Sequence, residues 1–175
     1  GDCPTGVIAA GAVMQYMYET QKSDLSHITS ITPYSTGQYM VLDVSTRRNL
    51  ELLETLREKQ KRGTLLWVLD KTRTAMGARL LRSFIEQPLI RKEAILERQN
   101  GVEELNLNYI SREEIREYLN SIYDLERLIG RISYKTANAR DLLSFKSSLD
   151  MLPYIRDLLR EFTSPVLAQI CEDLD

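Results

Sequence analysis

Residues 69–89 read LDKTRTAMGARLLRSFIEQPL. Thr72, Arg73 and Thr74 stand ahead of Gly77 and Arg79, so hydroxyls, cations and a glycine fall within one short run. These are the residue types that cradle phosphate, where backbone N–H groups of a glycine-rich loop wrap the oxygens and a lysine and a hydroxyl follow. The run has one glycine, however, and no glycine–lysine–serine/threonine ending. The competing reading is the start, face and stop of a packed helix. Gly77, Leu80, Leu81, Phe84 and Ile85 recur at i, i+3, i+4, i+7 and i+8, an apolar stripe. Thr74 occupies an N-cap position with its hydroxyl open to the N–H of Met76 or Gly77. Pro88 ends the run, and Arg82 can pair with Glu86 one turn on. Gly77 costs about 1 kcal/mol against alanine in a helix, which a close approach by another backbone would offset. Packing is the expected role.

Other candidate chemistry is thin. The acidic pairs Glu103–Glu104 and Glu113–Glu114 are adjacent on helical segments, so their carboxylates diverge by about 100° and do not converge on one substrate. Surface solvation is expected for both. His27 is the single histidine and lies in a polar stretch without a serine or cysteine at a triad-like spacing. Cys3 and Cys171 stand at opposite ends with no metal-ligand spacing, which argues against zinc and suits a reducing cytosol. A local basic excess spans Arg47, Arg48, Lys59, Lys61, Arg62, Lys71, Arg73 and Arg79, interleaved with Glu51, Glu54, Glu58 and Asp70. A solvated face is expected there rather than a phosphate-tracking stripe. No catalytic, cofactor-binding or metal residue is expected.

The elements that must position these residues are helical, and the expected class is all-α with little or no strand. Residues 4–22 form one helix, with Pro4 in its first turn and Val7, Ala10, Met14 and Met17 as a core face. Residues 23–38 are rich in Ser, Thr, Pro and Gly and read as a linker, and YMVLD at 39–43 as a strand or an extended lead-in. Asp43 or Ser45 caps a helix to about Gln60, with Leu50, Leu53 and Leu56 inward. LLWVL at 65–69 is a short apolar turn. Helices follow at 92–107 and after Ser111, where Ser111 and Glu114 offer a capping box. Asp124 opens the next, with Leu125, Leu128, Ile129 and Ile132 on one side. Asn138 opens a long one through Leu142, Phe145, Leu149 and Leu152, kinked by Pro153. Ser164–Pro165 starts the last.

With 175 residues, 43% hydrophobic and 27% charged, the chain is long enough for one good-sized folded domain. A net charge of −2 argues against a dedicated nucleic-acid surface. No apolar run reaches the length of a membrane span, and no secretory signal opens the chain. The chain opens without a methionine inside an expected helix, so an excised fragment is expected.

Four segments in order carry a family resemblance: MVLDVSTRRNLEL at 40–52, LLWVLDKTRTAMGARLLRSFIEQPL at 65–89, ILERQNGVEEL at 95–105 and DLERLIGRI at 124–132. Together they resemble the MutS family of DNA mismatch-repair ATPases, in the core or lever domain, over nearly the whole chain. The positions that match the family pattern are Asp43, Asn49, Leu50, Asp70, Thr72, Thr74, Gly77, Arg79, Leu80, Pro88, Leu125 and Arg127, read as structural. The resemblance implies that residues 1–24 are a helix from the end of the connector domain, 25–38 a linker and 39–175 the first part of the lever, with clamp and ATPase domains absent.

The resemblance further implies a whole protein that recognises mismatched double-stranded DNA as a dimer of identical subunits. It uses ATP and Mg to become a sliding clamp and recruits downstream repair factors in the bacterial cytosol. This segment would carry nucleotide state to DNA grip without catalysis and hold no cofactor of its own. The family's mismatch reader is phenylalanine, any residue, glutamate. FIE at 84–86 matches literally, but Phe84 belongs to the apolar stripe, so it is not taken as the reader. Residues contacting nucleic acid are not identified. The isolated chain is expected to self-associate through Val7, Ala10, Met14, Met17, Leu142, Phe145, Leu149 and Leu152. The alternative function is a stand-alone helical protein–protein interaction module.

Overall fold

The computed structural model describes residues 4–21, 28–31 and 36–174. His27 and Cys3 lie outside them. Two compact units are present, residues 1–34 and 35–175. Among the described residues the secondary structure is helical, with one isolated antiparallel bridge, Tyr39 to Leu89. No helix among them is long and apolar enough to cross a membrane.

In the first unit, helix α1 spans Pro4–Gln21. Ala10, Met14 and Met17 are half-buried, whereas Val7 is exposed. Gln15 Nε2 donates to Glu19 Oε1 at 2.8 Å on its wet side.

The second unit begins with α2, Val44–Asn49, capped by Asp43, whose Oδ1 accepts the Thr46 N–H at 2.6 Å. This helix is much shorter than expected. Glu51 takes a left-handed φ of 48°, which stops the helix, and residues 50–63 run through turns. Leu50 and Leu56 are consequently exposed, while Leu52 is buried and Leu53 half-buried. Gly63 at φ 93° turns the chain into α3, Leu65–Leu69, so LLWVL is a helix with its own cap. Thr64 is buried, accepts the Trp67 N–H and donates its hydroxyl to the Lys61 carbonyl.

Helix α4 spans Ala75–Glu86, α5 Lys92–Leu107, α6 Tyr109–Asn120, α7 Leu125–Ser133, α8 Ala139–Leu149, α9 Leu152–Leu159 and α10 Pro165–Asp173. Ser111 and Glu114 form no capping box, because α6 starts two residues earlier; the Ser111 hydroxyl instead donates to Glu161 Oε2 at 2.9 Å. Pro153 does not kink one long helix. The chain turns at Asp150–Met151, and Pro153 sits in the first turn of α9, where its missing N–H is no loss.

Two apolar clusters organise this unit. The larger joins Ile122, Ile155, Leu159, Phe162 and Leu167, flanked by residues of α5, α6, α9 and α10. The smaller joins Leu52, Leu66 and Ile85, flanked by Leu42, Leu53 and Leu81. Each fully buried aliphatic side chain contributes about 1.5–3 kcal/mol. Of the apolar residues of α8 and α9 expected to face water, Leu142 and Leu149 do so, whereas Phe145 and Leu152 are half-buried. Asp141 and Ser148 are buried while Leu142, Leu143 and Leu149 are exposed. Ser148 is 0% exposed; its hydroxyl accepts the Tyr123 N–H at 3.0 Å and donates to the Ser144 carbonyl at 2.8 Å. Ile129 likewise faces solvent, although Leu128 beside it is buried.

Candidate functional site

The run at 69–89 builds an ordered chain of local bonds that leads into α4. Asp70 anchors it. Its Oδ1 accepts the Thr72 N–H at 3.2 Å and the Thr72 hydroxyl at 2.6 Å, and its Oδ2 pairs with the Lys61 ammonium. The lysine contact, then the Thr72 hydroxyl, hold the Asp70 carboxyl at a pKa of about 2, against an ordinary 3.8. Two residues on, Thr74 Oγ1 accepts the Gly77 N–H at 3.0 Å, the N-cap that its position predicts.

Gly77 is a packing position, with a different neighbour from the one expected. A Cβ there would meet Thr74 Oγ1 at 3.1 Å and the Thr72 side chain at 3.6 Å, not a second backbone. The glycine lets the lead-in fold tightly over the first turn of α4. A phosphate has no cradle here. The Gly77 N–H and the Thr74 hydroxyl are spent on each other, and the Asp70 carboxylate would repel an anion.

Beyond Gly77 the two sides of α4 diverge. Leu81 is half-buried and Ile85 buried in the smaller cluster, and Met76 packs against the larger one. Leu80 is 55% exposed and Phe84 is also exposed. The stripe is thus split, and Phe84 is covered by Arg98 of α5, whose guanidinium carbon lies 3.7 Å from the ring centre.

Arg79 makes the long-range contact of this helix. Its Nη1 and Nη2 donate to the two oxygens of Asp124 at 2.8 and 2.7 Å, a two-pronged fork, and its Nε reaches Glu126 Oε2 at 3.0 Å. The bonds to Asp124, then to Glu126, raise the guanidinium pKa, and Arg79 in turn lowers that of Asp124. Asp124 is also the N-cap of α7, accepting the Arg127 N–H at 3.3 Å. One carboxylate therefore starts α7 and receives α4. Lysine could not reproduce this, since its ammonium is a point charge without a fork.

Of the residues singled out from the sequence, Asp70, Thr72, Thr74 and Gly77 form one bonded group. Arg79 joins the start of α7, where Leu125 packs against the larger cluster and the Arg127 backbone is capped. Asp43, Asn49 and Leu50 mark the two ends of α2 instead. The Pro88 carbonyl accepts the Met40 N–H at 2.8 Å beside the Tyr39–Leu89 bridge.

Two further groups were not visible in the sequence. Glu104 is not a solvated member of an acidic pair. Its carboxylate accepts the Thr163 N–H at 2.7 Å, the Ser164 N–H at 2.8 Å and the Thr163 hydroxyl at 3.0 Å, which closes the start of α10 from α5. Those backbone bonds hold its pKa at about 2. Asp141 pairs with both Nη atoms of Arg131 at 2.9 Å and completes a capping box with Asn138, joining α7 to α8. Among the described residues no group of histidine, cysteine, aspartate or glutamate could hold a metal ion.

Comparison with known proteins identifies the family of this helical chain. Residues 45–174 match the family model of MutS domain III. The chain is 66% identical over 174 residues to the DNA mismatch repair protein MutS of Lachnoclostridium phytofermentans, covering 99% of this chain and 19% of that protein. It is 51% identical over 169 residues to the protein of the same name from Desulforamulus reducens, covering 97% and 20%. Against that of Listeria monocytogenes it is 47% identical over 167 residues, covering 95% and 19%. The chain spans about a fifth of the length of these relatives. It belongs to the MutS family, and what it represents of that family is domain III.

Proposed function

We propose that this domain is the non-catalytic lever of a DNA mismatch-repair protein, carrying nucleotide state from an ATPase domain to the grip on mismatched DNA. The observation that supports this reading most is the Arg79 fork. It ties α4 to the cap of α7 across 45 residues of sequence, so that displacement at one end of the unit is passed on rather than absorbed. The residues of the 69–89 run are engaged in structural bonds, which fits a part that transmits and does not catalyse. In the whole protein, ATP and Mg would be held by another domain. A second identical subunit, mismatched duplex and downstream repair factors would be the partners, and the bacterial cytosol the location. Residues 1–24, 25–38 and 39–175 would be the end of a connector, a linker and the start of the lever. By itself, the chain would self-associate through exposed apolar residues such as Leu142, Leu143 and Leu149, which sedimentation at several concentrations tests.

The test of the coupling role places Arg79→Ala in a full-length MutS protein. Nucleotide binding in the absence of DNA should be unchanged, while the stimulation of ATP turnover by mismatched duplex should fall about tenfold or more. Undiminished stimulation would contradict the proposal, and so would an equal loss of nucleotide binding without DNA.

A further inference from the structure

A cleft of about 390 Å³ opens between α2, the turns at 50–63 and α4. Its walls carry Val44, Leu53 and Leu56, of which Val44 and Leu56 are exposed large apolar side chains. Around them stand Arg47, Arg48, Lys59 and Arg82. Arg82 is partnered by Glu86 at 3.5 Å. Arg47, Arg48 and Lys59 make no ion pair among the described residues, in contrast to Lys61 and Arg79 nearby. The basic excess seen in the sequence is therefore not a uniformly solvated face. Part of it borders an apolar hollow.

We propose that this cleft binds an acidic, apolar peptide segment of a partner protein. The argument is charge complementarity around an apolar floor. Arg48 and Lys59, with Arg47 whose charge also acts on Asp43, call for carboxylates, and the planar forks of the two arginines donate to a carboxylate in register. The exposed leucine and valine call for an apolar side chain between those carboxylates. Duplex DNA fits less well. Its backbone would supply phosphate without apolar side chains, and Glu54 and Glu86, which also line the cleft, would face it with like charge. A partner segment can place its own side chains so that these two carboxylates remain toward water.

The proposal is independent of the lever reading and is tested on the chain itself by fluorescence anisotropy. The probe is a fluorescein-labelled peptide of about ten residues alternating glutamate with leucine and phenylalanine. Saturable binding is expected, weakened about tenfold by Arg48→Glu and by Leu56→Asn, and less than about twofold by Lys92→Glu, which makes the same charge change outside the cleft. Fluorescence of Trp67 and circular dichroism check that each variant folds. Should Arg48→Glu fail that check, Lys59→Gln on the exposed turn takes its place. Equal weakening by Lys92→Glu would overturn the proposal, because generic charge would then explain the binding. Failure to saturate would overturn it too. A labelled duplex that displaces the peptide, and itself loses affinity in Arg48→Glu, would assign the cleft to nucleic acid instead.

Discussion

The two apolar clusters of the second unit are held by different means. The larger one is closed by polar bonds from outside. Glu104 caps α10 from α5, Ser148 of α8 receives the Tyr123 N–H, and Asp141 joins α7 to α8. The smaller one, around Leu52, Leu66 and Ile85, is assembled from short pieces: a six-residue helix, a set of turns and a five-residue helix. Its backbone ties are local, such as the Leu66 N–H to the Leu52 carbonyl at 2.9 Å. It is connected to the larger cluster through α4, by Met76 and by Arg79. The difference teaches that one part of this domain is a packed body, while the other depends on one helix for its attachment.

The largest expected effect separates the two bodies by truncation. Ile155→Ala in the larger cluster should lose about 3–4 kcal/mol of stability, and Leu66→Ala in the smaller about 2 kcal/mol, within the usual range for aliphatic-to-alanine changes. Urea unfolding followed by both circular dichroism and Trp67 fluorescence gives the two values. A larger loss for Leu66→Ala would break the comparison.

Next comes Gly101, which is buried in α5 where α10 crosses it. A Cβ there would stand 2.5 Å from Val166 Cγ1. Valine has few rotamers with which to retreat, so Gly101→Ala should cost about 1–3 kcal/mol by overpacking. An unchanged unfolding midpoint would show that α5 and α10 can part freely.

Acid should act on the larger body through Glu104. Its folded pKa of about 2 lies below the ordinary 4.5. The stability from this carboxylate is therefore fully present above about pH 4.5 and lost as pH falls toward 2. Glu104→Gln should unfold at lower temperature than the parent at pH 7, and the gap should shrink over that window. A gap that stays constant with pH would sink the assignment.

The smallest effect has the opposite sign. Nothing lies within 4 Å of a Cβ built on Gly130 in α7, so Gly130→Ala should stabilise by about 0.5–1 kcal/mol. A thermal melt that falls instead would mean that the start and end of α7, fixed by Asp124 and Arg131, need the glycine's freedom.

Much of this architecture was legible in the sequence because caps are local. Asp43, Thr74, Asp124 and Asn138 each cap the helix expected of them. The all-α class followed from the same signals. What was not legible depended on partners far away in the chain. Glu104 read as a solvated acid because Thr163 and Ser164 are 59 and 60 residues distant. Leu142 and Leu149 face water as expected, but nothing local showed that Asp141 and Ser148 would fill the buried side of α8. Gly77 drew attention by its motif, yet Gly101, in a stretch with no unusual residues around it, has the tighter neighbour. The fork of Arg79 was invisible for the same reason, although the residue itself stood out.

The central claim is that Arg79 fastens the smaller body to the larger, and native-state hydrogen exchange tests it most directly. In Arg79→Ala the amides of Val68 and Asp70 in and after α3, bonded to the Thr64 and Leu66 carbonyls at 3.2 and 2.9 Å, should exchange about tenfold faster or more. The amides of Ile155 and Leu159 in α9 should keep the parent's rates. Arg79→Lys should behave almost as badly as alanine, because it lacks the fork. If α3 and α9 amides speed up equally in Arg79→Ala, or if neither changes, the two bodies are not joined through this arginine and the account is wrong.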